Sequence, residues 1–248
     1  MLTILNYHSI DDLGLNTSIR PERFAAQMAF LVEHHYQVLT IAEVVELLKS
    51  EQPIPRRCAT ITFDDGYQSV YTVALEQLRR YSFPATLFVT SGFCGKLSNW
   101  PSHRADSSTR QMLSAGEIRE LSASRVTIGA HTVSHHRLTR LPLAQAQREI
   151  EESQAELEQI IGEPVRHFAY PYGEQNDAVR ALVASRFDSA YGVDFRLATH
   201  EDDIYNLPRL DTFYLDDLLR FGGPDERAAR FYVRIRKNLR AVRKALMR

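Results

Sequence analysis

Short β-branched runs alternate with helical periodicities along nearly the whole chain. That alternation confines the fold to the α/β class, with a parallel sheet or barrel and helices outside it. The strand signals are LTILNY at 2–7, CATITF at 58–63, ATLFVT at 85–90, VTIGA at 126–130, HFAY at 167–170 and LPRLDTF at 207–213. Between them, PERFAAQMAFLVEHH starts a helix on Pro21 and sets Phe24, Met28 and Leu31 on one face. Thr40 stands three residues before Glu43, the spacing of a capping box. Further helices are predicted over VYTVALEQLRRY, over SAGEIRELSAS and over LAQAQREIEESQAELEQII, the last stopping at Gly162. Residues 95–113 are polar and irregular and hold the only tryptophan, Trp100. With no repeat and no internal linker, the 248 residues suit a single barrel domain.

Bulk properties exclude several classes. A net charge of −1 does not indicate a globally basic nucleic-acid binder. Cys58 and Cys94 are too few for a disulfide framework and read as reduced thiols, Cys58 at a buried strand start and Cys94 in a loop. The opening MLTILNYHSIDDLG has neither a basic leader nor an apolar run long enough for a signal peptide, so the expected compartment is the cytoplasm.

Polar and ionisable residues gather where strands finish. His8 follows the first strand, Asp64 and Asp65 the CATITF strand, His131 and His135 the VTIGA strand, and Tyr172 the HFAY strand. Arg209 and Asp211 lie near the end of a late strand. In α/β barrels that rim is where active sites are built. The two acids of TFDDG repel each other, and a cation would offset the cost of holding them together. In an extended segment they would point different ways, one toward a metal and one toward a substrate. The plainer reading of Asp-Gly is a solvated turn. In GAHTVSHH, residues four apart in a helical turn would share a face and grip one ion, or they are surface histidines. Tyr172 is either a packing aromatic or a site residue, and His8 either a structural histidine or a site residue.

Together these stretches resemble the polysaccharide deacetylase family, the NodB-homology group of carbohydrate esterase family four. TFDDG resembles its first motif, HTVSH its second and YPYG part of its third, and the likeness runs from about residue 1 to 215. The resemblance implies a distorted (β/α) barrel that removes acetyl groups from N-acetylhexosamine glycans. It implies metal ligation by Asp65, His131 and His135, with zinc as the usual ion and cobalt or nickel as replacements. Asp64 would be the general base, and Tyr172 would hold the acetyl oxygen through its backbone N–H. Tyr172, Pro171 and Trp100 are the expected substrate contacts.

Two departures from the family pattern shape the remaining assignments. No Leu-x-His motif follows residue 200, and His200 in ATHED matches it poorly. LNYHSI resembles a subgroup acting on exopolysaccharides that carries this histidine on the first strand, so His8 is the expected general acid, with Asp211 as its candidate partner. Ala169 stands where the family usually has an arginine beside the base. Arg209 is the expected substitute and Arg166 a weaker one. An esterase or amidase for another acyl group, or an inactive glycan-binding homologue, would share much of this pattern. The motifs do not separate chitin, peptidoglycan and β-1,6-linked glucosamine polymers.

The expected organisation is a catalytic barrel over residues 1–222 and a basic amphipathic helix over 223–248. No acid follows Glu226. On a helix, Phe231, Ile235, Leu239, Val242 and Leu246 form one apolar stripe, with Arg230, Arg234, Lys237, Arg240 and Lys244 opposite. The stripe is expected to pack on the barrel. Docking on an anionic membrane at the inner face, near lipid-linked glycans, is the sharper alternative.

Overall fold

The computed structural model describes residues 1–15, 17–100, 109–214, 223, 227–229 and 231–236. The chain opens with β1 (Thr3–Tyr7), every residue of which is buried. A short parallel pair, β2 (Ser9–Ile10) and β3 (Ser18–Ile19), stands apart from the main sheet. α1 (Pro21–Glu33) starts on a proline, whose missing N–H is no loss in a first turn. It buries Phe24, Gln27, Met28 and Leu31. β4 (Gln37–Val38) leads into α2 (Ile41–Lys49), where Thr40 and Glu43 form the expected capping box. β5 (Cys58–Phe63) is buried throughout, and a π-helical turn at Val70–Ala74 precedes α3 (Leu75–Tyr81). The next elements are β6 (Ala85–Val89), α4 (Ala115–Ser122) and β7 (Val126–Ala130). α5 (Leu143–Ile161) ends at Gly162 in the left-handed conformation, φ 75°. β8 (His167–Ala169), α6 (Asp177–Ala184), β9 (Ser189–Tyr191) and β10 (Leu210–Asp211) complete the order.

The main sheet runs β10-β1-β5-β6-β7-β8-β9, with β4 also paired to β5. Its pairings are parallel, which explains strands buried on both faces and rich in apolar residues. A parallel bridge from Tyr191 to Leu207 carries the chain on into β10, which pairs with β1. The sheet thereby curls into a distorted (β/α) barrel, and the C-terminal ends of its strands share one rim. Helices cover the outside. Phe24 of α1 meets the Tyr7 ring edge-on at 5.1 Å, and the Tyr7 hydroxyl donates to Gln27 at 2.8 Å. Burying a ring such as Phe24 contributes about 2–3 kcal/mol.

α6 and β9 were not among the sequence expectations. β9 spans three residues, too few for a clear period. Asn176 caps α6 by accepting from the Val179 N–H at 2.9 Å, an interaction worth about 1 kcal/mol.

The expected tail stripe needs correction. In the helical residues 227–229 and 231–236, Ala229 and Val233 turn inward and join the barrel core. Phe231 and Ile235 instead remain 66% and 43% exposed. A helix rests on residues three or four apart on one face, and here that face starts at Ala229. Leu239, Val242, Leu246, Arg230, Lys237, Arg240 and Lys244, and the boundary expected at 222/223, lie outside the described residues or beside them.

Candidate active site

β5 delivers the paired acids. The Asp64 N–H donates to the Tyr7 carbonyl at 2.9 Å, continuing the ladder with β1. Asp65 then takes a left-handed conformation, φ 74°, and its carbonyl accepts from the Thr90 N–H at 3.1 Å. The turn sends the two carboxylates apart. The expectation of an extended segment is therefore corrected, since a left-handed residue reverses the chain where a strand would alternate it.

The histidines come from the loop after β7. The His131 N–H donates to the Val89 carbonyl at 3.0 Å. Thr132 and His135 both have positive φ, 69° and 56°, so the expected helical turn is absent here. The two rings converge because the loop folds on itself. The Thr132 hydroxyl accepts from the His135 N–H at 3.0 Å, and Glu149 of α5 accepts from the N–H groups of Val133 and Ser134 at 3.1 and 2.9 Å. No motif marks Thr132 or Glu149 as a support of this loop. Glu149 lies far along the chain on a helix, and no local signal pairs it with the loop.

Three ligand atoms result, one each from Asp65, His131 and His135, all buried and within 4.8 Å of one another. Asp65 Oδ1 lies 3.4 Å from His131 Nε2 and 3.2 Å from His135 Nε2. Each histidine is anchored through its other nitrogen. His131 Nδ1 meets the Ala169 carbonyl at 2.7 Å, and His135 Nδ1 meets the Tyr172 hydroxyl at 3.1 Å. These contacts leave both Nε2 atoms facing Asp65, the arrangement metal-binding histidines use. One carboxylate and two imidazoles suit a divalent ion of the zinc type and leave positions for water and substrate. Burial alone would raise the Asp65 pKa, but hydrogen bonds from both histidines outweigh it and hold the carboxyl well below its ordinary value. Burial lowers the His135 pKa, whereas at His131 the two aspartates overcome burial and raise it.

Asp64 faces a different neighbour. Arg209 donates to both of its oxygens, at 2.7 Å each, with the guanidinium buried beside Phe88. Arg209 also donates to the Gly192 carbonyl at 2.9 Å. It stands just before β10 and not at a strand end as expected, and its length carries the charge up to the rim. Burial would raise the Asp64 pKa, and the Arg209 charge reverses the sign, leaving it lowered. Arg166 is elsewhere. It precedes β8, at the opposite end of the barrel, and pairs with Asp188 at 3.7 Å.

His8 Nε2 lies 3.9 Å from Asp64 Oδ2. It lines a small polar pocket with Ser9, Thr17, Ser18 and Thr212, and Asp211 lines the same pocket. His200 is remote and contacts the Leu48 carbonyl at the end of α2, at 3.2 Å. Pro171 is buried and opens the turn that carries Tyr172, whose φ is 61°. Trp100 is only 4% exposed, with its ring 4.6 Å from that of His135 and 6.2 Å from Tyr67. The ring packs against that of a candidate ligand.

Residues 51–187 match the family model described as Polysaccharide deacetylase. The chain is 27% identical over 210 residues to YxkH of Bacillus subtilis, covering 84% of this chain and 70% of that protein. It is 27% identical over 205 residues to the poly-beta-1,6-N-acetyl-D-glucosamine N-deacetylase of Staphylococcus epidermidis, covering 79% and 68% respectively. The Escherichia coli protein of the same name matches at 27% over 145 residues, and the alignment spans only 20% of its length. Among solved structures, IcaB from Ammonifex degensii superposes with a TM-score of 0.74 at 24% identity, covering 86% of this chain and 93% of that one. The Streptococcus pyogenes deacetylase PplD also gives 0.74, at 22% identity with 85% and 91% coverage. At such identities the superpositions speak to the fold.

Proposed function

The chain belongs to the polysaccharide deacetylase family, and on that premise we propose that it removes N-acetyl groups from N-acetylglucosamine units of a polysaccharide, releasing acetate. One observation carries the proposal. A buried, metal-competent triad lies beside a second buried carboxylate that an arginine holds ionised. The relatives named for poly-beta-1,6-N-acetyl-D-glucosamine make that linkage the first substrate to test.

Asp65, His131 and His135 would hold the ion. Bound there, a divalent ion, zinc in the first instance, supplies Lewis acidity toward the acetyl carbonyl and lowers the pKa of water. The chain's own residues account for the proton movements. Asp64, kept ionised by Arg209, takes a proton from the attacking water as the water oxygen bonds to the carbonyl carbon. Each Asp64 oxygen accepts one hydrogen bond from Arg209 and keeps a lone pair for that proton. The Tyr172 N–H would meet the developing oxyanion. His8 gives its proton to the sugar nitrogen as the carbon–nitrogen bond breaks, since an amine leaves poorly unless protonated. Acetate and a free amine result.

Residues 224–248 are proposed to dock on an anionic membrane surface. The support is the outward placing of Phe231 and Ile235 beside exposed Arg227 and Arg234. No helix among the described residues is long and apolar enough to cross a membrane.

An acetate-release panel tests the activity. It would compare β-1,6- and β-1,4-linked N-acetylglucosamine oligomers, lipid-linked acceptors and O-acetylated esters. Preferential release from the β-1,6 series supports the proposal. Release from esters alone would favour an esterase, and binding without release an inactive glycan-binding homologue.

A further inference from the structure

The two candidate histidine ligands are anchored differently. His131 leans on a main-chain carbonyl, that of Ala169 at the end of β8, which the sheet fixes in place. His135 leans on a side chain, the Tyr172 hydroxyl at 3.1 Å. With an ion held at Nε2, Nδ1 would carry the ring proton and donate it to the phenol oxygen. A phenol turns about its side-chain torsions, so this anchor is only as firm as whatever holds the ring.

One support of the ring is charged and lies outside the ligand set. The Arg137 guanidinium lies over the Tyr172 ring, 3.8 Å from its centroid. Arg137 also forms an ion pair with Glu174. Glu174 receives a second hydrogen bond from the Thr139 hydroxyl at 3.4 Å. The spacing is reciprocal: Arg137 follows His135 by two residues, and Glu174 follows Tyr172 by two. The loop after β7 and the turn after β8 are thus joined by two side-chain rungs, His135 with Tyr172 and Arg137 with Glu174. The Arg137 and Glu174 side chains are 30% and 23% exposed, where an ion pair adds little to stability by itself. A guanidinium stacked on a ring and also paired to a carboxylate is nonetheless restricted in orientation, and it restricts the ring beneath it.

We propose that Arg137 and Glu174 form a clamp that positions Tyr172 against His135, so that metal retention depends on a charge pair that touches no ligand. The proposal rests on the metal assignment to Asp65, His131 and His135. Arg137 acts through Tyr172 and is a positioning residue.

The test is zinc affinity of the full chain, measured by competition with a chromophoric chelator, alongside thermal melting of each variant. Tyr172→Phe removes the acceptor and should weaken zinc binding roughly 10–100-fold, the usual scale for an outer partner of a ligand. Arg137→Met should weaken it less, on the order of several-fold, and Arg137→Lys should recover part of the loss by restoring the ion pair without the planar stack. In the Tyr172→Phe background, Arg137→Met should have little further effect, because the two changes break one path. Arg137→Met that lowers the melting temperature but leaves zinc affinity unchanged would overturn the clamp, as would losses that simply multiply in the double variant. Wild-type chain that takes up no zinc would overturn the metal assignment and the clamp with it. Zinc bound equally by wild type and all variants would overturn the clamp alone.

Discussion

Asp64 and Asp65 are adjacent in sequence and opposite in circumstance. One is gripped by a guanidinium, the other faced by two imidazoles. A base and a metal ligand fail in different ways, so variants of the two acids should separate. Asp64→Asn is expected to keep zinc and lose turnover by about 10²–10⁴-fold, the range a positioned base supplies. The check is zinc content and acetate release on one sample. His8→Ala should also keep zinc, and its rate loss should be greatest for amides whose amine most needs protonation. Arg209 is harder to probe, because removing one partner of a buried pair costs about 3–5 kcal/mol of stability. Arg209→Lys keeps the charge, loses the two-pronged contact and should lower turnover without releasing zinc. At this scale the sequence was partly legible. The acids and histidines announced themselves by type and spacing, and strand order alone nominated Arg209. Burial is not written in residue type, so nothing in the sequence placed the Trp100 ring against that of His135. Left-handed turns at Asp65, Thr132 and His135 were invisible because none of these residues is glycine.

Elements were legible in proportion to their length and burial. β1, β5, β6 and β7, each at least five residues long, stand where β-branched runs predicted them, and α5 has the bounds its pattern suggested. β9 and β10 are set by the neighbours they pair with, which a local pattern does not contain. The terminal helix shows another limit. Its periodicity defined an apolar stripe, yet periodicity cannot say which of two apolar faces the barrel accepts. Small Ala229 and Val233 fit inward, leaving Phe231 and Ile235 outside. If that outer face docks on lipid, Phe231→Ser with Ile235→Ser should reduce sedimentation with anionic vesicles at least several-fold while leaving acetate release from soluble oligomers unchanged. Raised salt should release the wild type. Equal sedimentation of variant and wild type would remove the membrane proposal.

For the molecule as a whole, the buried polar groups set its response to acid. His167 on β8 is buried beside the Ser189 hydroxyl, 2.8 Å away, and burial lowers its pKa to about 4. Its unfolded value is about 6.5. The folded chain therefore binds fewer protons between those values, and stability should fall as pH drops through that window, by on the order of 3 kcal/mol in full. Asp64 and Asp65, with lowered pKa values, contribute stability above the ordinary carboxylate range and lose it only below, outside this window. Urea unfolding from pH 7 to 4.5 should show a flatter decline for His167→Gln than for wild type. Parallel profiles would contradict the assignment.

The barrel brings residues from opposite ends of the chain, His8 and Arg209, to one carboxylate beside one candidate ion site. The most direct test of that reading takes wild type and His131→Ala through the same two assays, zinc stoichiometry and acetate release from a β-1,6-linked N-acetylglucosamine oligomer. Wild type should bind about one zinc per chain, in keeping with a single three-ligand site. Acetate release should stop on chelation and return with zinc, and both properties should be lost in the variant. Zinc content and acetate release that survive unchanged in His131→Ala would contradict that reading.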